Sequence, residues 1–158
     1  MIEASKPSIA WILVTKASEL CQTLGYHRTG TSKNDYPDDA RHKKLLFWAV
    51  YVLDKSLCLR LGRSSSIQDY DITVAYPSGA ELHRIAIAAF MKLWIQGARI
   101  QGLIYEKLYC PEAIAQPEIV RRPRMQELVQ LLEDLDLATT HVTVCPPDSQ
   151  YPSQLPLT

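Results

Sequence analysis

Residues 41–63 constrain the fold more than any other stretch: Arg-His-Lys-Lys-Leu-Leu-Phe-Trp-Ala-Val-Tyr-Val-Leu-Asp-Lys-Ser-Leu-Cys-Leu-Arg-Leu-Gly-Arg. Wound at about 100° per residue, Leu46, Val50, Leu53, Leu57 and Leu61 fall on one stripe. Leu45, Trp48, Ala49, Val52 and Leu59 form a second, and Phe47, Tyr51 and Cys58 close most of the remaining surface. A helix that is apolar on nearly every side needs neighbours on several sides, so this one is predicted at the centre of a helical bundle. Asp54 sits in its middle, with Val50, Tyr51, Leu57 and Cys58 three and four residues away. A carboxylate buried there without a partner is costly, so it requires a partner or a raised pKa. Arg60 and Arg63 are the nearest cations, and Gly62 offers the left-handed residue that ends the helix.

The flanking segments are helical too. Ile9, Ile12, Leu13, Ala17, Leu20 and Leu24 predict a helix over 8–24, with Pro7 suited to its first turn and Gly25 to its stop. Residues 29–39 are polar and rich in turn formers, which predicts an exposed, mobile loop ending at Asp38 or Asp39, either able to cap the central helix. Ser66-Ile-Gln-Asp69 loosely matches a capping box and predicts a short turn within a loop over 64–78. From 81 to 109 the apolar residues Leu82, Ile85, Ala89, Leu93, Gly97, Ile100, Ile104 and Leu108 recur in helical steps. Gly97 and Gly102 inside that helix point to close approach of another helix. A last helix is expected over 123–137, with Met125, Leu128, Val129, Leu132 and Leu135 on one face and its charges opposed to the macrodipole. The Pro- and Ser-rich residues 144–158 read as a disordered tail. The expected architecture is all-α: a multi-helix domain over 1–143 around a central buried helix.

Composition narrows the chemistry. Lys+Arg and Asp+Glu both number 17, giving a formal net charge of zero. A surface that binds nucleic acid directly usually carries a basic excess, because phosphate neutralisation dominates such affinity. The basic clusters Arg41–Lys44 and Arg121–Arg124 are short and read as helix starts or partners of nearby acids. The cysteines at 21, 58, 110 and 145 are scattered without a C-x-x-C pair, so they signal neither a zinc site nor a redox motif. They suit a reduced, intracellular setting, and no signal peptide or membrane-spanning run is expected. A catalytic reading would combine His27, His42, His83 or His141 with Asp54, Ser56 or Cys58, yet no spaced catalytic motif or phosphate loop joins them. The run Arg60-Leu-Gly-Arg63-Ser-Ser65 offers a weak acceptor pattern for a basophilic kinase.

One resemblance runs through these residues. Arg41, Phe47-Trp48, Tyr51-Val-Leu-Asp54, Leu61-Gly-Arg63, Ile67-Gln-Asp69-Tyr-Asp71-Ile72 and Pro77 resemble the signature of the fungal-specific transcription factor domain, the middle homology region of fungal zinc-cluster regulators. Residues 17–27, 100–109 and 124–132 are similar to its flanking helices. The resemblance covers roughly residues 9–137 of the sequence. Ser64 stands where the family usually has proline. The six-cysteine cluster that binds two zinc ions and reads DNA in the family has no counterpart here, nor does the coiled coil that follows it.

The resemblance implies a regulatory domain in nuclear control of transcription, acting through the factor's own DNA-binding and activation regions or other transcription proteins. Zinc and DNA contact would belong to a zinc-cluster domain outside this sequence, whether the chain is a fragment or a truncated relative. No catalytic, cofactor or metal residues are expected. The signature residues are Phe47, Trp48, Asp54, Gly62, Arg63, Asp69, Asp71 and Pro77, with Asp54 expected to pair with Arg63 or Arg60. The alternative is a sensor of a hydrophobic small-molecule effector, its pocket lined by Trp48, Tyr51 and Trp94.

Overall fold

The computed structural model describes residues 5–30, 35–78 and 85–144. These form α1 (Ser5–Thr23), α2 (Pro37–Leu61), a 3-10 turn (Asp69–Asp71), α3 (Ile85–Ile104), α4 (Pro111–Ala115) and α5 (Glu118–Val144), with a π turn (Tyr105–Tyr109) extending α3. No strand occurs among the described residues, and the all-α expectation holds. Of the tail expected over 144–158, Val144 closes α5 instead, and the rest lies outside the described residues.

α2 lies between α1 and α3, and α3 carries α5 on its other side. Phe47, Trp48, Val50 and Tyr51 of α2 form the core with Cys21 of α1, Ile67 of the following loop, and Ile95 and Ala98 of α3. Phe47 meets Trp48 edge-on at 5.2 Å, and Trp48 meets Tyr51 the same way at 5.4 Å, a geometry that aromatic quadrupoles favour. The covering is not complete, because Leu46 and Leu53 remain about half exposed on the flank that neither neighbour reaches.

The ends of the helices follow local chemistry, with some departures from expectation. Gly25 (φ 72) and Gly62 (φ 64) both take the left-handed conformation that stops α1 and α2, and the amide of Arg63 returns to the carbonyl of Cys58 at 2.8 Å. Asp38 and Asp39 do not cap α2. Its N-cap is Tyr36, with Pro37 at the first position, and the two acids sit in the first turn facing the dipole. The last helix begins earlier than Pro123 and runs past Leu137. Its first turn contains Glu118, and Pro123 lies inside it, so the acids at 133–136 sit mid-helix and the supposed opposition to the dipole disappears. The short α4 was not apparent in the sequence; the Cys110 thiol caps it by accepting from the Ala113 amide at 3.4 Å.

Of the two glycines of α3, only Gly102 marks a close approach. A Cβ on Gly102 would stand 2.9 Å from Lys55 Cδ, whereas one on Gly97 would meet Leu135 Cδ2 at an ordinary 3.5 Å. The Lys55 side chain of α2 crosses α3 at Gly102.

Candidate functional site

The loop over 64–78 is a strap fastened along one face of α2. Trp48, Tyr51, Lys55 and Cys58 recur at steps of three and four and so share that face, with Asp54 beside them. The strap returns over this face because Gly62 reverses the chain at the end of α2.

Asp54 is the innermost fastening. Its side chain is fully buried. Oδ2 accepts from the Ser65 hydroxyl at 2.5 Å, the Ser66 amide at 3.0 Å and the Ile67 amide at 3.4 Å. Successive amides converging on one anion make a nest, a backbone site that binds negative charge without a cation. The expected pairing of Asp54 with Arg63 or Arg60 is therefore corrected. The Arg63 guanidinium lies over the Trp11 ring, 4.1 Å from its centre, and Arg60 is exposed. The reversal at Gly62 brings strap amides to the carboxylate and carries the arginines outward. Cys58 completes the site by donating to Asp54 Oδ1 at 3.7 Å. Burial first, and the Asp54 charge second, push its thiol up to about 11, so it stays protonated and is a poor nucleophile.

Lys55 makes the second fastening. It is buried, and its ammonium reaches the Ile67 carbonyl and Asp69 Oδ1, each at 2.9 Å. The Tyr51 hydroxyl donates to the same Asp69 oxygen at 3.0 Å. Burial and the Asp69 charge keep that hydroxyl protonated, well above the ordinary tyrosine range. Arg99 of α3 approaches Asp69 Oδ2 at 3.5 Å. One strap carboxylate thus collects two cations and a phenol from two helices.

Further along, the Trp48 indole donates to the Ala75 carbonyl at 3.0 Å, and Pro77 is buried. Asp71 takes the far end of the strap to the segment after α1. It pairs with Arg28 at 2.6 Å and His27 Nε2 at 3.2 Å. The Arg28 guanidinium holds its carboxyl below the usual carboxylate range. The amides of Thr73 and Val74 both donate to the His27 carbonyl, at 2.9 and 3.1 Å. Thr29 donates its amide to Thr73 Oγ1 and its hydroxyl to the Thr73 carbonyl, so the loop expected to be free is tied down at its start.

The signature residues thus gather around the strap, with Phe47 beneath it and Arg63 turned away to α1. Sequence reasoning missed Lys55, Arg28, Thr73 and Arg99, and weighed His27 for catalysis rather than for holding the strap. Lys55 alone gave a signal, as a cation in the most apolar part of α2. In the clasp the Ser65 hydroxyl and the Cys58 thiol touch Asp54 as donors that hold the strap. Ser56 is engaged with Gln101 at 2.7 Å, His27 faces Asp71, and the side chains of His83 and His141 lie outside the described residues. Of the residues expected to line an effector pocket, Trp48 and Tyr51 border a cleft of about 300 Å³ together with Val74, Tyr76 and Arg99, whereas Trp94 is 63% exposed on α3 and is not among its walls.

Two larger clefts lie near the clasp among the described residues. One of about 440 Å³ lies between α3 and α5, with Ile100, Leu103, Leu131 and Leu135 in its walls and Arg99 and Asp134 at its rim. Another of about 450 Å³ opens between the strap and the π turn, lined by Lys55, Asp69, Arg99, Tyr105 and Glu106. Among the described residues, no group of three His, Cys, Asp or Glu side chains is placed to hold a metal ion. Cys21 and Cys58 are buried free thiols. No helix among them is long and apolar enough to cross a membrane.

A family model described as the fungal specific transcription factor domain matches residues 4–90, which include α1, α2 and the entire strap. The chain belongs to this family. It is 28% identical over 137 residues to an ABC-transporter-regulating transcription factor of Aspergillus fumigatus, covering 81% of this chain and 15% of that protein. It is 29% identical over 147 residues to the fusaridione A cluster transcription factor fsdR of Fusarium heterosporum, covering 84% of this chain and 26% of the relative. Similarity to protein STB5 of Saccharomyces cerevisiae is 28% over 137 residues, or 83% of this chain and 18% of that protein. The chain thus spans between 15 and 26% of the length of these relatives. No solved structure matches it.

Proposed function

We propose that this chain is the regulatory portion of a fungal zinc-cluster-type transcription factor. It works in the nucleus through contacts with the factor's DNA-binding and activation regions or with other transcription proteins, and makes no DNA contact of its own. The observation that carries the reading is the family match over residues 4–90, the part of the chain that builds the clasp. Two of the relatives named above, those of Aspergillus fumigatus and Fusarium heterosporum, are described as transcription factors.

The geometry supports a scaffold. The strap uses its polar groups inward, so the clasp fixes α1, α2 and α3 as one plate. Outside the plate, Ile12 and Leu13 on α1 and Met125, Val129 and Leu132 on α5 remain exposed, offering apolar faces for protein contact. The balanced charge argues against a phosphate-binding surface.

The test places the chain between a heterologous DNA-binding domain and a constitutive activation domain. Reporter output is expected to change when the chain is present, and Asp54→Ala is expected to cancel that change. Output that ignores the chain contradicts the proposal. A salt-sensitive gel shift by the chain alone contradicts its DNA-free part.

The cleft between α3 and α5 favours a second reading, a module that senses an apolar effector. Its leucine and isoleucine walls with a charged rim fit a small molecule that is largely apolar. Thermal stabilisation by hydrophobic metabolites that Leu135→Trp abolishes would support it, and flat melts across such a panel would refute it.

A further inference from the structure

The serines after Gly62 acquire a meaning from the clasp that the scaffold reading leaves unused. Arg60-Leu-Gly-Arg63-Ser64-Ser65-Ser66 presents two exposed arginines before three serines that differ in their surroundings. The Ser65 hydroxyl is occupied, donating its proton to Asp54 Oδ2 and accepting from the Ile67 amide at 3.2 Å. Ser64 is exposed, but the residue three before it is Leu61. Ser66 has Arg63 three residues before it, the spacing that basophilic protein kinases read. It is half-buried, and its hydroxyl makes no hydrogen bond among the described residues.

We propose that Ser66 is the acceptor for a basophilic protein kinase, and that its phosphate releases the strap from α2. The γ-phosphoryl group of ATP passes to Ser66 Oγ, the bond to the ADP oxygen breaks, and the hydroxyl proton leaves to the kinase's catalytic base. The Ser66 amide lies 3.0 Å from Asp54 Oδ2. A phosphate on that residue adds about two negative charges beside a fully buried carboxylate. The nest that holds Asp54 cannot serve two anions.

Nearby cations are already committed. Lys55 holds the Ile67 carbonyl and Asp69, and Arg63 lies over Trp11. Repulsion is relieved by moving residues 65–67 away from α2. That movement frees Lys55 from the Ile67 carbonyl and the Ser66 carbonyl from Gln22, which reaches it at 3.2 Å. The strap is thus a charge-sensitive element with engaged and released positions, and its release opens the cleft between Asp69 and the π turn. The inference concerns the strap itself and does not depend on the transcriptional reading.

The test incubates the 158-residue chain with ATP and the catalytic subunit of a cyclic-nucleotide-dependent kinase, then maps phosphate by mass spectrometry. Phosphate is expected on Ser66, lost in Ser66→Ala and strongly reduced in Arg63→Ala. In the phosphorylated chain the amides of Ile67, Thr73 and Val74 are expected to lose exchange protection while helical circular dichroism is retained. A folded chain that takes no phosphate at Ser66 overturns the proposal. So does phospho-Ser66 with strap protection unchanged or increased, since Arg63 would then have turned to clamp it. Loss of helicity throughout the chain also overturns it, because the strap would not be a separable element.

Discussion

Replacing Asp54 with alanine removes the acceptor for the Ser65 hydroxyl and the Ser66 and Ile67 amides in one step. A hydrogen bond to a charged group contributes about 1.5–3 kcal/mol net, and the half-buried donors left behind on Ser65 and Ser66 add a cost if unsatisfied. The contact at 3.4 Å adds little. The two shorter ones together give roughly 3–5 kcal/mol, the range seen when one member of a buried charged contact is deleted. That is a large share of a domain's usual stability of about 5–15 kcal/mol. With a urea m-value of about 2 kcal/mol/M, the unfolding midpoint followed by circular dichroism should fall by about 1.5–2.5 M. Arg63→Ala serves as the companion. If the carboxylate relied on that arginine, the two variants would be equally damaging. The structure places Arg63 on Trp11 instead, a cation–π contact at an exposed site, so its loss should cost about 0.5–1 kcal/mol. An Asp54→Ala change below about 1 kcal/mol, or an Arg63→Ala change of the same size as Asp54→Ala, refutes the reasoning.

The glycines of α3 should respond with opposite signs. Gly97→Ala has room beside Leu135 and should gain about 0.5–1 kcal/mol from helix propensity, whereas Gly102→Ala forces the doubly bonded Lys55 aside and should lose about 1 kcal/mol in the same urea assay. The strap's far end should show in acid. Asp71 has a folded pKa lowered mainly by Arg28, so the unfolded state binds more protons there. Its contribution is complete above the ordinary carboxylate value of about 4 and is lost as pH falls through the lower folded value. Arg28→Gln should flatten that acid dependence of stability, and an unchanged slope between variants would contradict the pairing.

Helix content was legible because the apolar residues repeat in steps of three and four over long stretches, and the glycine stops at 25 and 62 mark chain reversals that side chains resist. The clasp was legible only in part. Asp54 was visibly in need of partners, but the sequence displays side chains, and its real partners are largely amides of residues 66 and 67. Backbone donors carry no compositional signature, so the arginines near Gly62 looked like better candidates than they are. Lys55 and Asp69 were both visible as charges, but their pairing depends on how the strap returns over α2. The ends of the last helix misled for a related reason. Pro123 is tolerated inside α5, whose apolar face from Met125 onward is visible in the sequence while its opening at Glu118 is not.

The central claim is that residues 64–78 are fastened along α2 through a backbone nest around Asp54. Amide hydrogen exchange followed by NMR reads that fastening residue by residue, comparing the unaltered chain with Asp54→Ala. The account predicts that the Ser66 and Ile67 amides are protected in the unaltered chain and exchange freely in the variant, while the α3 amides around Ile95 and Ala98 remain protected in both. Ser66 and Ile67 amides that exchange as fast as an open loop in the unaltered chain would contradict it.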